Sequence, residues 1–141
     1  MARHELGAGL VTVDTSALVA LINSRDPDHV RMVNMLEDNL DNLVIPVSIL
    51  SEVSYFIERD LAPNVLNLFM NDLAEGAYRL DCGADDWPRV RQLVERYRSL
   101  PLGLADAAVI ACGERIGKQV ATLDFRHFGV VAREGTFRIL A

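Results

Sequence analysis

Short apolar segments rich in β-branched residues alternate with helical patterns along this chain, and this alternation most constrains its fold. The predicted strands cover residues 10–13, 43–45, 78–80, 119–123 and 137–140, with Val130 and Val131 as further candidates for the last strand. The predicted helices cover residues 17–22, 29–40, 48–59, 64–75, 87–97 and 104–116. Strands that alternate with helices predict right-handed βαβ units and an α/β fold with a mainly parallel sheet, covered by helices on both faces.

Length and composition predict a single domain over residues 1–141. Half of the residues are hydrophobic and a quarter are charged, as is typical of soluble globular proteins. No apolar run approaches the roughly 20 residues that span a bilayer, and residues 1–9 lack the apolar region of a signal peptide. Cys82 and Cys112 are too few for a disulfide framework or a cysteine metal site. We therefore expect a cytoplasmic protein that does not contact membranes.

The net charge of −6 argues against broad binding to nucleic acid through surface charge. It remains compatible with a nuclease whose acidic residues are gathered at a metal site. The predicted helix over residues 87–97 and the residue just after it carry four arginines, for which a solvated face is favoured over an RNA contact: Arg89, Arg91, Arg96 and Arg98.

Four carboxylates lie beside core-type sequence. Asp14 follows the first predicted strand and Asp124 follows the strand at 119–123, while Asp106 lies in the first turn of a helix almost free of charge. Glu52 lies at the margin of the apolar stripe of its helix. Each has a structural alternative: Asp14 as a helix cap, Asp106 as a complement to the helix dipole, Asp124 at a turn, and Glu52 facing solvent or paired with Arg59.

Two acids at strand ends and two on apolar helices have one common explanation, a bound divalent cation. Close carboxylates repel each other, and a cation offsets that repulsion. Because the ligands are all oxygens, Mg²⁺ or Mn²⁺ is favoured over Zn²⁺. Mg²⁺ shares its coordination with phosphate oxygens, and such a site activates water and stabilises charge on phosphorus. The predicted chemistry is metal-assisted phosphodiester hydrolysis.

The order of four segments resembles the PIN-domain nucleases, and among them the short VapC-type toxins of bacterial toxin–antitoxin pairs. The segments are V-D-T-S-A-L, S-E-V, L-A-D-A-A-V-I-A and T-L-D-F-R-H-F. The resemblance implies a three-layer α/β/α fold with a parallel sheet of five strands, and a Mg²⁺- or Mn²⁺-dependent endoribonuclease that leaves 5′-phosphate and 3′-hydroxyl ends. It assigns the acidic quartet to Asp14, Glu52, Asp106 and Asp124, and supporting roles to Ser16 and Thr122.

The resemblance also implies partners. These are an RNA substrate (transfer or ribosomal RNA), a cognate VapB-type antitoxin and a second copy of the chain in a homodimer. The segment from residue 48 to 75 has more apolar residues than one helix face needs, which fits an interface with the antitoxin or with the second copy. Arg126 and His127 follow the last acid and either bind the RNA backbone or pair with nearby acids.

Two other functions compete with a nuclease. A phosphoryl-transfer receiver domain also gathers acids at strand ends, but it wants adjacent acids after the first strand, where Asp14 stands alone. The second is a PIN-like module that binds RNA or protein without cleaving. The presence of all four acids argues against this module, and cleavage with and without EDTA separates it from the enzyme.

Overall fold

The computed structural model describes residues 9–140, and they contain a parallel sheet of five strands in the order β3-β2-β1-β4-β5. The strands are β1 (Val11–Val13), β2 (Leu43–Pro46), β3 (Arg79–Asp81), β4 (Gln119–Ala121) and β5 (Arg138–Leu140). The predicted α/β fold with a parallel sheet is confirmed. The predicted absence of a signal peptide concerns residues 1–9, most of which lie outside the described residues, as do both ends of the predicted 1–141 domain.

Seven α-helices surround the sheet within residues 9–140. They are α1 (Thr15–Ile22), α2 (His29–Leu36), α3 (Leu50–Asp60), α4 (Pro63–Ala74), α5 (Trp87–Arg96), α6 (Leu104–Arg115) and α7 (Phe125–Ala132). Single 3₁₀ segments at Glu37–Asn42 and Val47–Ile49 flank β2. In this described part of the chain, no helix is long and apolar enough to cross a membrane.

The two strands that end at the candidate site are neighbours at the centre of the sheet. Strand β1 pairs with β2 on one side and with β4 on the other, with Val13 opposite Ala121. Both strands are fully buried, in keeping with their apolar sequence. The backbone N–H of Asp14 donates to the carbonyl of Ala121 at 3.2 Å, which extends the pairing by one residue. The segments that follow β1 and β4 therefore leave the sheet side by side.

Helix α6 packs closely on the sheet because it carries a glycine at the contact. A Cβ atom on Gly113 would lie 2.4 Å from Cγ2 of Val120 in β4. The helix ends just before Gly117, whose φ is +75° and whose Cα lies against the carbonyl of Leu10. These contacts fix the position of the whole helix, including its first turn with Asp106, relative to β1 and β4.

The region after β4 corrects two predictions. The strand predicted over 119–123 ends at Ala121, and residues 125–132 form α7, a helix that the sequence pattern does not predict. Val130 and Val131 lie in this helix and not in a strand. The helix forms because Asp124 caps it and because Phe128 and Val131, three residues apart, are both buried against the core. Gly129, a weak helix former, interrupts the sequence pattern at its centre.

The apolar residues of the 48–75 segment divide between the core and the surface. Ile57 and Phe69 are buried in the core. Tyr55, Leu68 and Met70 are exposed by about half or more of their surface. Part of the apolar excess noted in the sequence thus completes the core, and part remains on the surface of α3 and α4.

Candidate active site

Asp14 is held rigidly at the end of β1. It is 6% exposed, and its Oδ1 accepts hydrogen bonds from the N–H of Ala17 at 2.9 Å and from Oγ of Ser16 at 2.7 Å. Its Oδ2 accepts a hydrogen bond from Oγ1 of Thr122 at 2.5 Å. The bond from Ala17 makes Asp14 the N-cap of α1, so the capping alternative is correct. Capping does not exclude a second role, because a carboxylate accepts several bonds at once.

Ser16 and Thr122 tie the ends of β1 and β4 together. Besides donating to Asp14, the Thr122 hydroxyl accepts from the N–H of Asp124 at 2.9 Å, and the Ser16 hydroxyl accepts from the N–H of Leu123 at 3.0 Å. Each hydroxyl therefore joins the Asp14 carboxylate to the backbone of the segment after β4. These contacts match the supporting position that the resemblance assigned to both residues, whose functional role stays a prediction.

Asp124 caps α7 and pairs with a histidine. Its Oδ1 accepts from the N–H of His127 at 3.1 Å, and its Oδ2 lies 2.9 Å from Nδ1 of the same residue. The pairing alternative for His127 is thus the one observed. These contacts hold Asp124 at the start of α7, three residues after the end of β4.

Asp106 is half-buried in the first turn of α6, and the structure describes no hydrogen bond or ion pair for it within residues 9–140. Burial raises the pKa of its carboxyl above the usual range. The nearby charges of Asp124 and Glu52 raise this pKa further, whereas His127 lowers it. Asp106 also lines a cavity that opens to solution, where a ligand can reach its carboxylate.

A cavity of about 400 Å³ brings three of the four predicted acids together: Asp14, Asp106 and Asp124. The fourth, Glu52, is exposed in the first turn of α3 and does not line this cavity, although its charge acts on Asp106. It does not pair with Arg59, which pairs with Asp60 instead. The convergence follows from the topology, because the ends of β1 and β4 and the start of α6 meet at one edge of the sheet.

Burial dominates the electrostatics of Asp14. It raises the pKa of this carboxyl, and the negative charge of Asp106 adds to the effect. The hydrogen bonds from Thr122, Ala17 and Ser16 oppose the increase. The charge of Asp106 raises the pKa of Asp14, and the charge of Asp124 raises the pKa of Asp106, because carboxylates repel each other. A bound cation would relieve this repulsion.

The donor set fits a hard divalent cation. Among residues 9–140, no three Asp, Glu, His or Cys side chains are arranged to hold an ion by themselves. Mg²⁺ does not need such a cage, since it usually keeps several waters and binds through one or two carboxylates. The carboxylates of Asp106, Asp14 and Asp124 line the cavity and offer only oxygen atoms as ligands, which is what Mg²⁺ prefers.

The cavity also contains residues that the sequence reasoning did not select. Asp26 and Asp28 reach it from the loop after α1, and Phe56, Arg59 and Asp60 reach it from α3. In the sequence the first pair is a turn and the others are ordinary helix residues, so no local signal marks them. Only the packing of α1 against both α2 and α3 brings them to the three acids.

Arg126 and the row of arginines that begins at Arg89 lie away from the cavity. Arg126, in the first turn of α7, is exposed and does not line it. Arg89 does not lie on a solvated face. Its side chain is 24% exposed and its guanidinium forms ion pairs with Glu114 at 2.7 Å and Glu134 at 2.9 Å, so it links α5 to α6 and to the segment after α7.

Comparisons with known proteins relate the chain to a family and to a solved structure of the same fold. The model of the PIN domain family matches residues 11–134. Ribonuclease VapC26 of Mycobacterium tuberculosis is 30% identical over 121 residues, which cover 84% of this chain and 90% of that protein. The crystal structure of M. tuberculosis VapC20, described as a sarcin-ricin loop cleaving toxin, superposes with a TM-score of 0.70 at 18% identity. That match covers 85% of this chain and 94% of VapC20.

Proposed function

This chain belongs to the PIN-domain family and to its VapC-type members, and we propose that it is a Mg²⁺- or Mn²⁺-dependent endoribonuclease toxin. The observation that carries the proposal is the convergence of Asp14, Asp106 and Asp124 on one cavity. The name of VapC26, a ribonuclease, supports cleavage of RNA. The proposed consequence in the cell is inhibited translation and growth.

Asp14, Asp106 and Asp124 would hold the cation, and Glu52 would add negative charge beside Asp106. When bound, Mg²⁺ or Mn²⁺ neutralises charge on the phosphate and makes water a better nucleophile. The chain supplies the positioning. Asp14 cannot turn away from the cavity, because three donors hold its two oxygens. In-line attack by water leaves 5′-phosphate and 3′-hydroxyl ends, without use of the RNA 2′-hydroxyl.

VapC20 suggests a first substrate to test. VapC20 is described as a toxin that cleaves the sarcin-ricin loop. An RNA hairpin with the sequence of this ribosomal loop is therefore one probe, and transfer RNA is the other. Nothing in the site selects between these two RNA classes, so both belong in the same assay.

The test is cleavage of both RNAs with Mg²⁺, with Mn²⁺ and with EDTA. We expect cleavage by the wild-type chain only with a metal, and a decrease of at least about a hundredfold in rate for Asp14→Asn, since one charge-stabilising group contributes 10²–10³ in comparable sites. Asp41→Asn, at an exposed position in the turn before β2, is the matched control and retains full activity.

Three results contradict the proposal. Full activity in Asp14→Asn removes its assigned role, and RNA ends with 2′,3′-cyclic phosphates remove the mechanism. RNA binding without cleavage under any metal condition would instead favour the PIN-like binding module.

A VapB-type antitoxin is the proposed partner, and α3 and α4 are its proposed surface. Tyr55, Leu68 and Met70 expose about half or more of their area on these two helices, which pack against each other, and apolar side chains grouped on one surface favour an interface. The same surface is a candidate for a homodimer. Sedimentation of the chain alone and with the cognate antitoxin, for wild type and Leu68→Ser, distinguishes the two partners.

A further inference from the structure

Two arginines flank the acidic cavity, and each lies over an aromatic ring. The guanidinium of Arg59 on α3 lies 4.9 Å from the ring centre of Phe56, which lines the cavity, and 5.6 Å from that of Tyr55. The guanidinium of Arg31 on α2 lies 5.3 Å from the ring centre of Phe125, the residue directly after Asp124. Helix α1 packs against both α2 and α3, so Arg31 and Arg59 lie on the two helices that contact α1.

The charge of the cavity makes these arginines important for a polyanionic substrate. Six aspartates line the cavity, namely Asp14, Asp26, Asp28, Asp60, Asp106 and Asp124. Among the described residues that line it, Arg59 is the only cation. A divalent ion would offset charge at Asp14, Asp106 and Asp124. Away from that ion, the charged groups of the lining are carboxylates and Arg59, and Arg31 lies beside one of these carboxylates, Asp28.

The present partners of both arginines can be exchanged for phosphate. Arg59 donates to Asp60 from Nε and Nη2, both at 2.8 Å, and Arg31 lies 3.8 Å from Asp28. Both arginine side chains are about half exposed, and exposed ion pairs contribute little to stability. A guanidinium has five donors in a planar fork that fits phosphate oxygens, and stacking on a ring holds this plane in place.

We propose that Arg59 and Arg31 bind the phosphates of single-stranded RNA on either side of the scissile bond, with Phe56 and Phe125 positioning their guanidinium groups. The inference rests on the proposed ribonuclease function and adds the substrate-binding groups of the same cavity. Arginine stacked on aromatic rings beside a groove is a chemistry suited to single strands, which offer accessible backbones and unstacked bases.

Binding is measured by fluorescence anisotropy with a fluorescein-labelled single-stranded RNA of mixed sequence, in Mg²⁺ and in an Asp14→Asn background that keeps the RNA intact. We expect Arg59→Ala and Arg31→Ala each to weaken affinity about tenfold, as removal of a charge-assisted hydrogen bond does. Each substitution also lowers the slope of log K against log[salt] by about 0.7 for every phosphate that is no longer bound. Arg79→Ala, at an exposed arginine of the edge strand β3, is the matched control and leaves both values unchanged.

Two further measurements separate a binding role from a structural one. Arg59→Lys keeps the charge but removes the planar fork, so its affinity falls between wild type and Arg59→Ala. If circular dichroism shows that Arg59→Ala does not fold, the Arg59→Lys variant still tests the proposal. In the cleavage-competent chain, the arginine variants raise KM with kcat nearly unchanged, as expected for groups that bind the substrate away from the reacting atoms.

The outcomes distinguish this inference from the proposed function. If both alanine variants bind RNA like Arg79→Ala while the wild type cleaves, the arginine proposal is wrong and the ribonuclease proposal stands. If affinity depends on both arginines but no metal supports cleavage, Arg59 and Arg31 bind RNA as proposed, whereas the ribonuclease proposal and their placement about a scissile bond are wrong. Absence of any RNA binding by the chain contradicts both.

Discussion

The carboxylate of Asp14 occupies two positions at once, at the start of a helix and in the wall of the cavity. It caps α1 through Ala17 and faces a cavity shared with Asp106 and Asp124. A cap alone needs one acceptor oxygen, whereas here both oxygens are held by three donors in a buried position. This degree of fixation is what a metal ligand requires, because a ligand that turns away loses its geometry.

At the residue scale, we predict that Thr122→Val lowers kcat while the chain remains folded. The substitution keeps the shape but removes the hydroxyl that donates to Asp14 and accepts from the N–H of Asp124. Because buried groups are left without partners, it costs about 1–3 kcal/mol of unfolding free energy. Thr122→Ser keeps the hydroxyl and restores kcat, measured on the same RNA. A role in stability alone predicts instead that Thr122→Val keeps its full kcat at a temperature where it is folded.

At the element scale, helix α6 is the part that brings Asp106 to the strand ends. Its close contact with β4 depends on Gly113, and its first turn carries no other charge than Asp106. Helix α7 has a similar function for Asp124, although its own sequence pattern is weak. Asp14, Asp106 and Asp124 are thus placed by three separate elements, and the sheet sets the positions of all three.

Two helical glycines provide a matched prediction at this scale. A Cβ at Gly113 would lie 2.4 Å from Val120, so Gly113→Ala pushes α6 off β4 and costs about 1–3 kcal/mol of stability. Gly129 in α7 has no atom within 4 Å of the same added Cβ, so Gly129→Ala stabilises by about 0.5–1 kcal/mol through helix propensity. Urea unfolding measures both. Equal effects of the two substitutions would show that the close packing of α6 does not control stability.

At the scale of the whole molecule, the excess of negative charge at the cavity links folding to pH and to cations. The pKa values of Asp14 and Asp106 are raised in the folded chain, chiefly by burial. The folded state therefore binds protons more tightly than the unfolded state, whose aspartates have an ordinary pKa of 3.8. Their favourable contribution is complete below that value and disappears as the pH rises through the raised pKa values.

We accordingly predict that in EDTA these two groups make the chain more stable as the pH falls through their raised pKa values toward the ordinary value of 3.8. Mg²⁺ or Mn²⁺ reverses the trend, since an ion at about 100 times its Kd adds about 2.7 kcal/mol to the folded state at neutral pH. Thermal melting with and without EDTA measures this. Asp14→Asn flattens the pH dependence and reduces the effect of the cation. A wild-type melting temperature that does not respond to Mg²⁺ or Mn²⁺ would contradict a cation site at these acids.

Much of the fold and part of the site were predictable from the sequence. The strands β1, β2 and β4 are nearly continuous apolar runs, so their burial and parallel pairing follow from composition and from the helices between them. Asp14, Asp106 and Asp124 were predictable because each interrupts core-type sequence next to a strand end or a helix start. Helix α7 was not, because its capping and its packing of Phe128 against the core are tertiary effects.

By itself, the sequence determined that this chain forms an α/β fold with a parallel sheet and that acidic residues lie at the carboxyl ends of its strands. Both features depend on local pattern and on the order of the elements along the chain. Only the tertiary structure decided which groups share the cavity. It excludes Glu52 from the lining and adds Arg59, Asp60, Asp26 and Asp28. The reason is geometric: a residue's distance to a site on another element is set by how α1 packs between α2 and α3, and no periodicity within one helix encodes that packing.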